Sequence, residues 1–412
     1  MPTLSFRLTI LALLGILAYA PTLRIPLLED DYVNLSESQV YGAPSQLPAL
    51  LHHTVYRVRA TSFWSMYPMF RTFGVQALPY RLLSLALHIL NTWLLFAVAL
   101  AWPAMRRAAF WAAAFFAVHE GHQEAVMWFT AIAELWSFFF GAIALWGWQK
   151  DRWWGAAAFA LALLSKESSV VFLALFFLAV PSRDWRRWLP YAAVAAVITG
   201  SIFLTMSSSF RFSDGSFSLH APFWITWPRG VGRVLWFWGW LAGAVIWWRG
   251  DCKTKRASLV ALVWIVVSLS PYIFWTYSTE IPSREAYIAS AGLALLFGLA
   301  LSLIPDRRLV AAVAGAMVIH NVGYLWTKKR AQFVARAAPT EQLIALARST
   351  TQPIRVRCFP LNEWTAKEAV HTATGRPETD LVWTESEARA RNAVDFCFTL
   401  PSSRRRSSRP SR

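Results

Sequence analysis

The sequence predicts an all-α polytopic membrane protein with a small α/β appendage at its C-terminal end. Three observations predict it. Hydrophobic residues make up 56% of the 412 and charged residues only 15%, an apolar share beyond the usual soluble range. The apolar residues gather into long runs, of which roughly eleven approach the ~20 residues that cross a bilayer. Basic residues cluster between alternate runs, as the positive-inside rule requires. The expected organisation is a transmembrane domain over 1–326, a small α/β unit over 327–400 and a disordered basic tail over 401–412.

The runs fall at 4–23, 80–101, 107–119, 131–149, 153–165, 167–181, 187–206, 228–248, 257–275, 286–304 and 308–326. The first has one Arg7 and ends in Ala18-Tyr19-Ala20, which mimics a signal peptide. Pro21 directly after the small residues discourages cleavage, so a retained helix is expected. The third, fifth and sixth runs are short for full spans and suit re-entrant or interfacial turns.

Arg106 and Arg107, Lys150 and Arg152, Arg183, Arg186 and Arg187, Arg249 to Arg256, and Arg307 and Arg308 occupy one set of loops, which are placed in the cytoplasm. The loops 24–79, 119–130, 165–168, 206–227 and 276–285 then face outside. The tail from Thr327 also falls outside, although Lys328-Lys329-Arg330 argue against it. The +17 net charge is explained by these loops and the tail, so no nucleic acid is expected as a partner. There is no CxxC, hence no zinc signature; an outside tail could hold a Cys358–Cys397 disulfide, while Cys252 stays reduced. In the tail, Ile354–Phe359 and Ala393–Leu400 alternate like strands, and Thr340–Ser349 and Asn362–Thr372 carry helical patterns. Ser402–Arg412 reads as disordered, with a basic composition suited to anionic headgroups.

The chemistry-bearing residues lie in the outside loops. The first loop opens with Glu29-Asp30-Asp31-Tyr32 just past the first run. Carboxylates beside a bilayer are costly to keep ionised without a task or a partner. A helix N-cap plus a solvated charge is the bland alternative for Asp30 and Asp31. The same loop carries His52, His53, Arg57 and Arg59, and two short surface helices over 45–55 and 62–73, anchored by Trp64, Tyr67 and Phe70. The second loop, His119-Glu120-Gly121-His122-Gln123-Glu124, packs two imidazoles and two carboxylates into six positions. His119, His122 and Glu124 could hold a divalent metal or position a phosphate. Ser165-Lys166-Glu167 is either a neutralising pair or a functional one. Arg284, at the head of the tenth run, suits a lipid phosphate, with snorkelling as the competing explanation. No phosphate-binding P-loop and no dinucleotide-binding glycine loop is present, so a nucleotide sugar held by a Rossmann unit is excluded.

These stretches together resemble a known family. Asp30-Asp31-Tyr32 after the first helix is similar to the acidic motif of the C-type (GT-C) membrane glycosyltransferases. Tyr56–Ala60 with Phe70–Asn91, where His88 and Asn91 keep a His-Leu-Leu-Asn pattern, resembles the branch of protein O-mannosyltransferases and their bacterial family 39 relatives. So do His119–Val126, Leu163–Glu167 and Arg284–Gly292. Ala60, Glu120, Ser283 and Ala289 depart from that branch's pattern, and no tetratricopeptide period is visible. The resemblance implies a GT-C fold in a bacterial inner (plasma) membrane and a cell-envelope transferase that uses a polyprenyl-phosphate-linked sugar. The acceptor would be a hydroxyl on an unidentified protein or glycan at the extracytoplasmic face. It implies Asp30 as general base with Asp31 as helper, or the reverse. Lys166, Arg284, Arg57, Arg59 and Tyr287 would bind donor and phosphate, and His119, His122 and Glu124 a divalent cation (Mg or Mn) if one is used. The competing class is a secondary transporter or flippase, which would place charges near the bilayer midplane and show a repeat between halves.

Overall fold

The computed structural model describes residues 3–205 and 214–398. The predicted tail 401–412 and part of the predicted loop 206–227 lie outside the described residues. Each predicted apolar run is helical: α1 (Leu4–Tyr19), α5 (Ala77–Ala101), α6 (Ala109–Val118), α8 (Ile132–Gln149), α9 (Trp154–Ser165), α10 (Phe172–Ala179), α11 (Trp185–Leu204), α12 (Phe223–Arg249), α13 (Cys252–Leu269), α14 (Tyr287–Ser302) and α15 (Arg307–Tyr324). Among the described residues, six helical stretches are long and apolar enough to cross a membrane, and the stretches at 109–118, 154–165 and 167–179 are shorter apolar helices. The protein is an integral membrane protein.

The bundle is organised around α14. It is apolar on every face, and every residue from Tyr287 to Leu301 is buried, as expected of a helix with no polar side to present. Its neighbours are α6, α12 and α13. Close approach needs residues without a side chain. A Cβ at Gly298 would sit 2.6 Å from the Ala108 carbonyl oxygen, and one at Gly292 would sit 2.7 Å from that of Ala261. Around this centre α1, α5, α6 and α8 form one packed side, continued by α9 and α11.

The first loop is more ordered than a connector. It holds α2 (Asp30–Tyr41), α3 (Leu47–His52) and α4 (Ala60–Phe73). The two short surface helices expected from sequence are α3 and α4. No predicted element covers α2, which starts at the acidic motif itself.

At the other end, α15 does not stop at 326. A π-turn at Leu325–Lys329 leads directly into α16 (Arg330–Ser349), making one stretch of 43 residues. A three-stranded parallel sheet follows, in the order β2–β1–β3, from β1 (Ile354–Cys358), β2 (Leu381–Val382) and β3 (Val394–Cys397). It is flanked by α17 (Glu363–Thr374) and α18 (Glu385–Ala390). Its own small core gathers Leu343, Ile354, Val356, Ala366, Val370 and Phe396. Cys358 and Cys397 face each other across β1 and β3 and are joined as a disulfide, while Cys252 is a free, exposed thiol. Closing a 39-residue separation stabilises this unit by up to about 4 kcal/mol through the unfolded chain.

Candidate functional site

The C-terminal ends of α1, α6 and α9 and the N-terminal ends of α5, α8 and α14 meet at one end of the bundle, opposite the basic loops. Side-chain bonds between distant segments show the convergence. The Tyr19 hydroxyl donates to the His119 carbonyl at 2.5 Å, and Arg81 and Lys166 each reach partners on other segments.

Asp31 sits at the second position of α2 and is fully buried. Its carboxylate accepts the Leu28 N–H at 2.9 Å, the Thr130 N–H at 2.7 Å, the Thr130 hydroxyl at 2.8 Å and the Arg81 guanidinium at 3.3 Å. Arg81, also fully buried, donates further to the carbonyls of Ile25 at 3.2 Å, Met127 at 3.0 Å and Pro26. Four donors saturate the lone pairs of one carboxylate. The pair therefore ties the first loop to the head of α5 and to the segment before α8.

Asp30, one residue earlier, is only half-buried, and its carboxylate has no hydrogen bond or ion pair among the described residues; only its carbonyl accepts, from Asn34 Nδ2 at 2.8 Å. Burial raises its pKa above the ordinary value, and the charges of Glu29 and Asp31 raise it further, against Arg284 and Arg336. Glu29 holds φ = 29°, in the left-handed region that a non-glycine residue seldom adopts. Arg336, from α16, grips its carboxylate at 3.1 and 2.9 Å. Such backbone strain persists where surrounding contacts over-determine it. The Trp128 ring carries both guanidinium groups, Arg336 at 4.5 Å and Arg284 at 5.0 Å from its centroid. Cations over an indole face are held by its quadrupole without losing their donors.

Behind this rim lies a chain of ion pairs. The Lys166 ammonium is buried between the carboxylates of Glu134 and Glu285. Arg284 Nε lies 3.4 Å from Glu285, and its backbone N–H donates to Glu124 at 3.2 Å. Arg59 forks onto Glu167 at 2.5 and 3.3 Å. Arg57 donates to the Ser201 carbonyl at 2.9 Å and to the Thr205 hydroxyl, pinning the first loop to the end of α11. Tyr287 is buried, its hydroxyl bonded to His88 Nδ1 at 2.8 Å and to Asn91 Nδ2 at 3.3 Å.

The two loop histidines are also interior. His122 Nε2 lies 2.5 Å from the Ser290 hydroxyl, and its ring packs on Phe116 and Tyr287. His119 stacks on Phe115 and meets His122 edge-on. Burial holds His119 down to about 4 and His122 well below the usual histidine value, so both are neutral at pH 7. Neutral imidazoles are suitable ligands, but Glu124 is turned to the Arg284 backbone. Among the described residues no three His, Cys, Asp or Glu side chains group so as to hold a metal ion. The residues present thus do not assemble the His119–His122–Glu124 ligand set.

The structure brings Asp30, Glu124, Arg284, His119 and His122 to one end of the bundle, with Lys166 beneath Arg284. Arg57 and Arg59 flank it on the side of α9 and α11. Sequence reasoning missed Arg81, Glu134, Trp128 and Arg336. Arg81 and Glu134 carried a usable signal, being charges inside apolar runs. Arg336 carried none, because its partner Glu29 is 307 positions away.

No family model matches the chain, and no curated protein matches it in sequence. Solved structures do match in fold. ArnT from Cupriavidus metallidurans bound to undecaprenyl phosphate aligns with a TM-score of 0.53 at 12% identity, over 94% of this chain and 88% of that one. The same enzyme in its apo state gives 0.55 at 13% identity over the same shares. The Archaeoglobus fulgidus oligosaccharyltransferase tethered to an acceptor peptide gives 0.55 at 11% identity, over 93% of this chain and 64% of that one. The chain shares the fold of these solved structures over nearly its whole length.

Proposed function

We propose that this protein is a membrane glycosyltransferase that passes a sugar from a polyprenyl-phosphate-linked donor to an acceptor hydroxyl at the extracytoplasmic face. One observation carries the reading. In a GT-C fold, the loop after the first membrane helix presents Asp30, a half-buried carboxylate with no partner among the described residues, beside two arginines held over Trp128. Asp30 accepts the proton of the attacking hydroxyl as the new bond to the anomeric carbon forms. The bond from that carbon to the phosphate oxygen breaks, and Arg284 and Arg336 offset the charge left on the phosphate. Lys166 acts through Glu285 to place Arg284. Asp31 and Arg81 hold the loop that carries Asp30. Arg57 and Arg59 fix the turn at Tyr56–Arg59, and Tyr287 orients His88 and Asn91 beneath.

Two facts support the orientation. The basic loops lie at the opposite end of the bundle, and the tail that docks on α2 carries a disulfide, which an oxidising compartment permits. The ArnT structure holds undecaprenyl phosphate and the oligosaccharyltransferase structure an acceptor peptide, which supports a lipid-linked donor and a peptide or glycan acceptor in general kind. The test is transfer from polyprenyl-phosphate mannose, glucose or arabinose to membrane acceptors by the purified protein. Transfer from one of them that Asp30→Asn abolishes is expected; no transfer from any, or equal rates for wild type and variant, rejects the reading.

A further inference from the structure

The donor reading leaves one charged region unused. Glu120 stands where the resembling family has proline. It is half-buried, with no hydrogen bond or ion pair to its carboxylate among the described residues. Its backbone N–H donates to Asn321 Oδ1 at 2.9 Å, which seats it on α15 beside His320, and Lys329, His320, Arg233 and Lys328 act on its carboxylate. They come from separate elements, Arg233 from α12, His320 from α15 and the two lysines from the π-turn at Leu325–Lys329. A π-turn is a costly irregularity often found at functional positions. Here it lays both ammonium groups over Tyr324, at 5.3 and 5.2 Å from the ring centroid. Arg233, Lys328 and Lys329 outnumber the two carboxylates within their reach, Glu120 and Glu124, so the region favours an added anion.

Two buried polar atoms have no partner among the described residues, Nε1 of Trp238 (a residue 6% exposed) and Nδ1 of His119 (8% exposed). The Trp238 ring meets His320 edge-on at 5.9 Å. Further along α12 and α15, toward the basic loops, Phe237, Trp240 and Ile319 are exposed apolar side chains, and Gly315 faces open space. Trp236 breaks α12 there with φ = 37°. A phosphate at the polar rim with an apolar chain running into the bilayer matches this sequence of surfaces.

We propose that the rim between α12 and α15 is a docking site for the phosphate of the polyprenyl carrier, formed by Arg233, His320, Lys328 and Lys329 around Glu120, and distinct from the transfer site at Asp30. It rests on the lipid-linked donor reading. Lys329 is in electrostatic range of both Glu120 and Glu124, and Glu124 accepts the Arg284 N–H. The rim therefore adjoins the transfer site, where a donor would arrive and a spent carrier would leave. Glu120 competes with the phosphate for the same cations and so keeps docking weak enough for release.

The experiment is binding of a polyprenyl monophosphate to the full-length protein in detergent, with polyprenol and inorganic phosphate as comparators. Arg233→Gln with Lys329→Gln should weaken binding at least tenfold, Lys329→Arg should retain it, and Glu120→Gln should tighten it several-fold. Polyprenol should bind at least tenfold more weakly than its phosphate, and inorganic phosphate should not compete at millimolar concentration. An unchanged affinity in the double variant, or weaker binding in Glu120→Gln, overturns the docking site while leaving the donor reading intact. Competition by inorganic phosphate as effective as the lipid makes it a free-anion site and also overturns it. Wild type that binds no polyprenyl phosphate overturns both.

Discussion

Asp30 and Asp31 are adjacent in the chain and opposite in circumstance. Asp31 has four donors, one of them a buried guanidinium; the Asp30 carboxylate has none among the described residues and is half-open. The same contrast divides the surrounding charges. Lys166, Glu134 and Glu285 satisfy one another in the interior, whereas Arg284 and Arg336, each with one carboxylate partner, stay partly exposed at the rim over Trp128. The lesson is that charge in a membrane protein marks function only where it is left unsatisfied. A saturated pair costs desolvation and returns geometry, and an unsatisfied carboxylate held in place has chemistry as its use.

The contrast can be broken first at Asp30. Asp30→Asn should lower transfer by a factor on the order of 10²–10⁴ with folding unchanged, measured as sugar transfer beside thermal unfolding in detergent. Near-normal transfer would mean that the open carboxylate is idle. The interior should respond in the other currency. Lys166→Met leaves Glu134 facing Glu285 without its cation, Glu285 keeping only Arg284, and should cost roughly 3–5 kcal/mol of stability, read as a fall in unfolding midpoint. Replacing all three by apolar residues should recover most of that loss; if it does not, the trio acts on substrate after all.

A third prediction concerns acid. His119 is held at about 4 in the folded protein against an ordinary 6.5, so between those values the unfolded chain binds a proton that the folded one refuses. Stability should therefore fall as pH drops from 6.5 to 4, by up to about 3 kcal/mol, and His119→Gln should flatten that slope. The acid limb of transfer should also lie above the usual carboxylate range, because a base must be ionised and Asp30 is raised. The smallest expected effect is that of chelation. Transfer in EDTA should stay within about twofold of the untreated rate, since the described residues assemble no ligand triad.

Much of the fold was legible in the sequence because bilayer thickness and hydrophobic runs dictate it. All the apolar runs became helices, and the tail's strand and helix patterns at 354–359 and 362–372 were met by β1 and α17. The helix at Asp30 was not legible, since its short amphipathic pattern lies inside what reads as a loop. Nor was the continuation of α15 into α16, because a polar helix leaving the membrane looks like a domain boundary by composition alone. Within the site, the Asp30-Asp31 motif, His122 and Arg284 stood out by residue type. Which aspartate was saturated did not, because the answer lies in Arg81 and Thr130, 50 and 99 positions away. Long-range partners decide whether a charge is scaffold or reagent, and pattern alone does not carry them.

The central claim is tested most directly by carrying Asp30→Asn and Asp31→Asn side by side through the same transfer assay and the same unfolding measurement. The account predicts a folded, inert Asp30 variant and an Asp31 variant whose main defect is a lowered unfolding midpoint. A stable Asp31 variant without transfer, next to an Asp30 variant that still transfers sugar, would contradict it.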